Sequence, residues 1–283
     1  MSRLTRLSAV LAAGAAAILA LSACASGGSD KPETTDQGGS SSLQTVTPGK
    51  LTIATGEPAY APWVIDNDPS SGKGFEAAVA YAVADKLGFA KSDVVWVGAA
   101  FEASIAPGPK AWDLNIQQFS VTPEREKAVD FSSPYYTTTQ AVVANGGTKA
   151  AEAKTLADLK GSVIGVASGT TSLTVAEKLL GTDELKVFNS VDDLVQALKS
   201  KQVDALVTDL PGAFYVRDAQ LDNGVIVGQL DSSEGGDEFA FVLPKGSPLT
   251  AKTSEAVDAL RADGTLEKLT AEWIADQGAP VLK

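Results

Sequence analysis

The sequence predicts an α/β fold with length enough for two domains, and three observations carry that prediction. β-rich runs alternate with helical segments from Leu51 onward, the order from which sheets flanked by helices are built. At 283 residues the chain is long enough for two domains. Near the middle of the folded part, Asn145, Gly146 and Gly147 interrupt an apolar run, which places a crossover between two bodies at that point. The composition agrees: 44% hydrophobic and 20% charged residues describe a globular, soluble body. A formal charge of -12 argues against nucleic acid or anionic lipid as a direct partner.

The first residues form a leader. Met1 to Cys24 has a basic start with Arg3 and Arg6, an Ala/Leu-rich core from Leu7 to Leu21, then small residues, the pattern of a secretory signal peptide over residues 1–23. No later apolar run is long enough to span a bilayer. The leader ends Leu21-Ser22-Ala23-Cys24, which resembles the bacterial lipobox, whose cysteine is acylated and becomes the mature N-terminus. Cys24 is the only cysteine, so no internal disulfide can form. Residues 24–47 are rich in Ser, Gly, Thr, Asp and Gln with little to bury. They are expected to be a flexible tether with a reach of roughly 25 Å.

In the body, Leu51 to Thr55 reads as a strand ending in the loop Gly56 to Trp63, and ligands in α/β proteins sit at the carboxyl ends of strands. Phe75, Val79, Val83 and Leu87 recur every four residues and predict a helix closed by Gly88. Val94 to Val97 is a strand. Ile105 to Lys110 contains Pro107, Gly108 and Pro109, so any helix starting near Phe101 must be short. The strand Trp112 to Ile116 then delivers Gln117, Gln118, Phe119 and Ser120.

The next stretch combines helix-start signals with a cation. Thr122 can N-cap, Pro123 suits the first helical position, and Glu124 suits the positive end of a helix, which puts Arg125 in a first turn. A guanidinium there offers a planar fork that matches a carboxylate or phosphate. The residues alone leave two readings: an anion clamp, or a surface arginine paired with Glu126 or Asp130.

After an apolar strand, Thr137 to Ala144, come a short helix from Leu156 and a strand from Val163 to Ala167. Ser168-Gly169-Thr170-Thr171 leads into a helix to about Leu180, a turn whose free N–H groups and hydroxyls suit either an anion or an ordinary N-cap. Val187 and Phe188 belong to a strand and Val191 to Lys199 to a helix. Gln202 to Asp209 is a strand ending in an acid that either caps the helix begun at Pro211 or faces a ligand. Phe239 to Leu243 is a return strand, followed by helices from Leu249 to Arg261 and Thr265 to Ile274.

Ser120-Val-Thr-Pro-Glu-Arg125, followed by Val129-Asp-Phe-Ser-Ser-Pro-Tyr135, resembles the ligand-binding segment of the family 3 solute-binding proteins of ABC importers, which carry polar amino acids. Gly74-Phe75-Glu76, Ala262 to Thr265, and Glu272 with Trp273 are similar to other motifs of that family, so the resemblance covers about Leu51 to Trp273. It implies a type II periplasmic-binding-protein-like fold, two α/β lobes joined by a two-strand hinge, with lobe 1 over 48–143 and 242–283 and lobe 2 over 144–241. It implies that Arg125 grips a ligand α-carboxylate, that Thr170 and Thr171 add a second carboxylate contact, and that Asp209 holds the α-ammonium. Glu57, Tyr60 and Trp63 match the first motif, in which the tyrosine covers the ligand and the acid faces an amine or cationic end. The loop from Ile53 to Tyr60 is one residue longer here. Phe101 corresponds to a second aromatic wall, and Gln118 and Ser120 complete the set, with glutamines where many relatives carry small residues.

Opposite charges at two ends of one cleft suit a free amino acid. Glutamine or another polar amino acid fits Gln117, Gln118 and Ser120, a basic one fits if Glu57 and Glu102 face it, and an acidic one has no second cation to meet. The expected partners are that ligand, the transmembrane subunits of an ABC permease and the membrane through the lipid on Cys24, with the protein acting as a monomer. No cofactor or metal is expected. The competing class is a dehydratase or lyase on the same fold. With no histidine in the chain and no metal-ligand cluster, positioned acid–base groups are scarce, so no enzyme activity is expected.

Overall fold

The computed structural model describes residues 43–181, 183, 185–230, 236–274 and 278–283. The leader, Cys24 and most of the tether lie outside the described residues. The folded body begins earlier than residue 48: Leu43 packs against the first core, and the Val46 N–H donates to Asp113 Oδ1 at 2.7 Å.

In chain order the strands are β1 (Leu51–Thr55), β2 (Val94–Gly98), β3 (Leu114–Asn115), β4 (Val129–Phe131), β5 (Tyr136–Thr138), β6 (Gln140–Asn145) and β7 (Ile164–Ala167). They continue with β8 (Leu185–Phe188), β9 (Ala205–Asp209), β10 (Gly224–Leu230), β11 (Asp237–Phe239), β12 (Val242–Pro244) and β13 (Val281–Leu282). One sheet runs β2-β1-β3-β12-β4 and the other β13-β10-β6-β9-β7-β8. Between them, β5 and β11 pair antiparallel, with Asp237 opposite Thr138 and Phe239 opposite Tyr136. This is the bilobal type II architecture, with the β5–β11 ribbon as its hinge.

Lobe 1 is organised around the helix Phe75–Lys86, whose Phe75, Val79 and Val83 are fully buried against Ile53, Leu114, Phe239 and Phe241. Its entry requires glycine: Gly74 has φ of 103°, and a Cβ there would lie 2.5 Å from the Trp63 carbonyl oxygen. The helices Thr250–Ala262 and Thr265–Trp273 close the same core through Val257, Leu260 and Leu266. The helix Phe101–Ile105 stops before Pro107.

In lobe 2, β6 buries both faces. Val142 and Ala144 point into one core and Ala141 and Val143 into another, which is why the segment reads as a continuous apolar run rather than an alternating one. That burial corrects the expected boundary. The crossover is not at Asn145 to Gly147; the chain crosses at 136–139, and 140–145 is an interior strand of the second sheet. The crossing is the run Thr137 to Thr139, β-forming residues without a glycine or proline, so no turn signal marks it. The far end needs the same correction: Val281 and Leu282 pair with β10, and the Leu156 N–H donates to the Lys283 carbonyl, so the last residues belong to lobe 2, not lobe 1. Strand β10, which fills the second sheet, is absent from the sequence-based reading altogether.

Candidate functional site

Between the lobes lies a cavity of about 420 Å³, within the range of small-molecule sites and near its lower end. Its walls come from loops at the carboxyl ends of β1, β3, β7 and β9. The structure brings all ten sequence-predicted cleft residues to that one wall: Glu57, Tyr60, Trp63, Phe101, Gln118, Ser120, Arg125, Thr170, Thr171 and Asp209. Their hydrogen bonds then separate groups that face the cavity uncommitted from groups already engaged.

Arg125 is only 8% exposed. It opens a single 3-10 turn, Arg125–Lys127, rather than a longer helix, and its N–H donates to Thr122 Oγ1 at 3.2 Å. Nη1 donates to the Ser120 carbonyl at 2.7 Å, and Nη2 reaches across the cleft to the Gly169 carbonyl at 2.9 Å. The guanidinium also sits 5.4 Å over the Phe101 ring, which itself stacks on Phe119 at 4.8 Å. The surface-pair reading fails. Asp130 pairs with Lys245 at 3.0 Å, and among the described residues no carboxylate lies in salt-bridge contact with Arg125. Burial pulls its pKa below the ordinary value, against the opposing pull of Asp209 and Asp237. Two of its five N–H donors are committed to carbonyls, which leaves donors for an anion.

Asp209 ends β9. Its side chain makes no capping bond to the helix Leu210–Tyr215, so the N-cap reading does not hold. It accepts from Gln140 Nε2 at 2.7 Å. Burial first, and the charge of Asp237 second, push its pKa up to about 7. Thr171, at the start of the helix Thr171–Leu180, has Oγ1 3.3 Å from Ser120 Oγ across the cleft and donates to Asp237 Oδ2 at 3.2 Å.

Three predicted residues are engaged elsewhere. The Thr170 hydroxyl accepts from the Leu173 N–H at 3.2 Å and donates to the Ala167 carbonyl at 2.8 Å, so it serves as the N-cap. Trp63 is 5% exposed and packs edge-on against Tyr136 and Phe239 at 5.9 and 5.7 Å; most of its ring is lobe 1 core. Gln118, with φ of 50°, gives its backbone N–H to Glu76 Oε1 at 2.7 Å and its amide to Glu76 Oε2. Gln117, by contrast, lines the cavity with Oε1 buried and without a donor among the described residues.

Two further cross-cleft contacts stand at the mouth. Tyr60 O–H donates to Asp192 Oδ1 at 2.6 Å, with its ring 5.7 Å from Tyr215, and burial together with Asp192 raises the phenol's pKa well above normal. Ser168 Oγ donates to Glu102 Oε1 at 2.5 Å. Glu57 is exposed at the edge of the same cavity.

The sequence reading missed Glu76, Gln140, Asp192 and Asp237. Glu76 looks like an ordinary acid in a helix's first turn. It is in fact fully buried, accepts from Tyr135 O–H besides Gln118, and is pushed up to about 7 by desolvation. Gln140 and Asp237 sit where the hinge strands meet lobe 2, and no local motif marks them. Among the described lining residues the acids are Glu57, Glu102, Asp192 and Asp209, and the only cation is Arg125.

Residues 51–276 match the family model described as bacterial extracellular solute-binding proteins, family 3. The chain is 31% identical over 208 residues to the arginine-binding extracellular protein ArtP of Bacillus subtilis, an overlap covering 72% of this chain and 78% of that protein. It is 30% identical over 232 residues to the L-cystine-binding protein TcyJ of Escherichia coli, covering 80% and 82% respectively. Among solved structures, an ancestral arginine-binding protein bound to arginine matches with a TM-score of 0.67 and 32% identity, over 80% of this chain and 99% of that one.

Proposed function

The chain belongs to the family 3 bacterial extracellular solute-binding proteins, and from that premise we propose that it captures a free L-amino acid with a cationic side chain and delivers it to an ABC importer. The observation that carries this reading is the charge balance of the cleft, one buried arginine among four acids. The ligand carboxylate sits between the Arg125 fork and the N–H groups at the start of the helix Thr171–Leu180, and the ammonium faces Asp209. Glu57, Glu102 and Asp192 then face the side-chain end and complement a cationic group there better than a neutral amide. ArtP, named for arginine, is consistent with that choice.

Charge-assisted hydrogen bonds contribute about 1.5–3 kcal/mol each, and micromolar affinity requires about 8 kcal/mol. Four such contacts suffice after the costs of ordering. Because Arg125 and Asp209 belong to different lobes, only the shut conformation makes all of them, and ligand binding favours closure by that differential affinity. The closed body is what the permease subunits receive. The ligand leaves as it came, without chemical change. In this reading the protein is secreted and held at the outer face of the cytoplasmic membrane by a lipid on Cys24, and it acts as a monomer.

A thermal-shift screen followed by calorimetry with arginine, lysine, ornithine, glutamine and glutamate tests the ligand. Cationic amino acids are expected to raise Tm most, glutamine less, and glutamate least. Tightest binding of glutamate, or no shift with any amino acid, would overturn the reading. Labelling with palmitate tests the anchor: wild type is expected to take up label and Cys24→Ala to lose it.

A further inference from the structure

The hinge ribbon delivers two polar side chains into the wall behind the cleft. Gln140 follows β5 and is 1% exposed; Asp237 opens β11. The Gln140 amide orientation is fixed by its partners: Oε1 accepts from Ser172 Oγ at 2.6 Å, so Nε2 supplies its two hydrogens to Asp209 Oδ1 at 2.7 Å and to Asp237 Oδ2. Asp237 also takes the Thr171 hydroxyl at 3.2 Å. One amide thus bridges two carboxylates, one from a lobe 2 strand and one from the hinge itself.

Resting on the amino acid reading above, we propose that Asp237 is a positioning residue for capture of the ligand's ammonium group. With Asp209 it forms a carboxylate pair bridged by the Gln140 amide, and its charge moves the acid-side loss of capture to higher pH. The charged or titratable groups facing Asp209 are Arg125 from the 3-10 turn, Asp237 from β11 and Tyr135 from the approach to β5, with Glu76 behind Tyr135. Only Asp237 among them both repels the Asp209 charge and shares its hydrogen-bond donor.

The sign follows from the linkage. Asp209 must be ionised to hold an ammonium, and burial beside Asp237 raises its pKa to about 7. Binding is therefore strongest above that pH and weakens as pH falls through it, on the order of tenfold per unit below. A ligand that stabilises the ionised form expels the proton on binding. Without the Asp237 charge, Asp209 ionises more easily, so the acid-side loss moves to lower pH. Asparagine keeps a carbonyl oxygen for Gln140 and Thr171, and glutamate keeps the charge.

The test is isothermal titration of L-arginine into the purified wild type, Asp237→Asn and Asp237→Glu at pH 5.5, 7 and 8, in two buffers of different ionisation heat. Wild type is expected to bind at least tenfold more weakly at pH 5.5 than at pH 8 and to release protons at pH 7. In D237N that ratio should shrink at least threefold and the proton release should fall, while D237E keeps the wild-type profile. Superimposable pH profiles for wild type and D237N overturn the inference. So does equal loss of binding at every pH in D237N and D237E with lowered Tm, since that marks Asp237 as scaffold only. A wild type that binds arginine without pH dependence also overturns this inference alone, whereas a wild type that binds no amino acid overturns the functional reading beneath it.

Discussion

Replacing Arg125 by lysine keeps a positive charge in the cleft but exchanges a planar fork for a single ammonium. The guanidinium now holds the Ser120 carbonyl on its own lobe and the Gly169 carbonyl on the other, at 2.7 and 2.9 Å, and rests over Phe101. A lysine cannot reach both carbonyls and also make two parallel bonds to a carboxylate. If one charge-assisted bond to the ligand is lost, the cost is about 1.5–3 kcal/mol, or roughly 10- to 150-fold in Kd. Alanine removes both bonds and leaves the Gly169 carbonyl without its donor when the lobes shut, so its Kd should rise at least a hundredfold. Calorimetric titration of arginine measures both variants, with melting temperature reporting whether each is folded. A folded Arg125→Ala protein whose Kd stays within threefold of wild type would refute the clamp and, with it, the account of how the lobes cooperate.

Removing the Tyr60 hydroxyl (Y60F) deletes the 2.6 Å bond to Asp192 across the mouth; at a net value of about 1 kcal/mol, ligand dissociation followed by stopped-flow fluorescence should accelerate about fivefold. Trp63→Ala should cost about 3–5 kcal/mol of stability, as a buried aromatic truncation does, while Trp63→Phe leaves arginine affinity within twofold; a large affinity loss in the phenylalanine variant would reinstate Trp63 as a ligand contact. Glu76 sits above the usual carboxylate range when folded, so the folded form binds the proton more tightly than the unfolded chain and loses stability as pH climbs toward about 7. Calorimetric melting of the ligand-free protein from pH 5 to 8 should accordingly show a falling Tm whose slope lessens in Glu76→Gln, with Asp209 supplying the remainder.

What the sequence reveals and what it hides divide along the distance between interacting residues. The helix Phe75–Lys86 is legible because its burial repeats every turn, and Arg125, Thr171 and Asp209 are legible because short motifs at strand ends mark them. Gln140 and Asp237 lie 97 positions apart, and each acquires meaning only when the hinge strands pair. Trp63 and Gln118 show the converse. Both occupy motif positions and both line the cavity, yet core packing engages the indole and the Glu76 carboxylate engages the amide. A motif locates a backbone near a ligand; which side-chain atoms remain unpaired there depends on neighbours from the rest of the chain.

Glu76 and Asp209 make that distinction physical. Glu76 is fully buried and Asp209 half-buried at the cavity wall, and both are pushed up to about 7, chiefly by desolvation. Glu76 receives three donors, Tyr135 O–H, the Gln118 N–H and the Gln118 amide, and it does not line the cavity, so its acceptor capacity is spent on the floor beneath the site. Asp209 lines the cavity and receives one side-chain donor, Gln140. A carboxylate has room for about four hydrogen bonds, so Asp209 keeps most of its capacity for a guest. Substituting Glu76 should therefore move stability and its pH dependence with little direct effect on ligand preference. Substituting Asp209 should cost the ammonium its partner while costing the fold little, because it relieves an underbonded charge, and by the same linkage it should also lessen the loss of stability toward about pH 7.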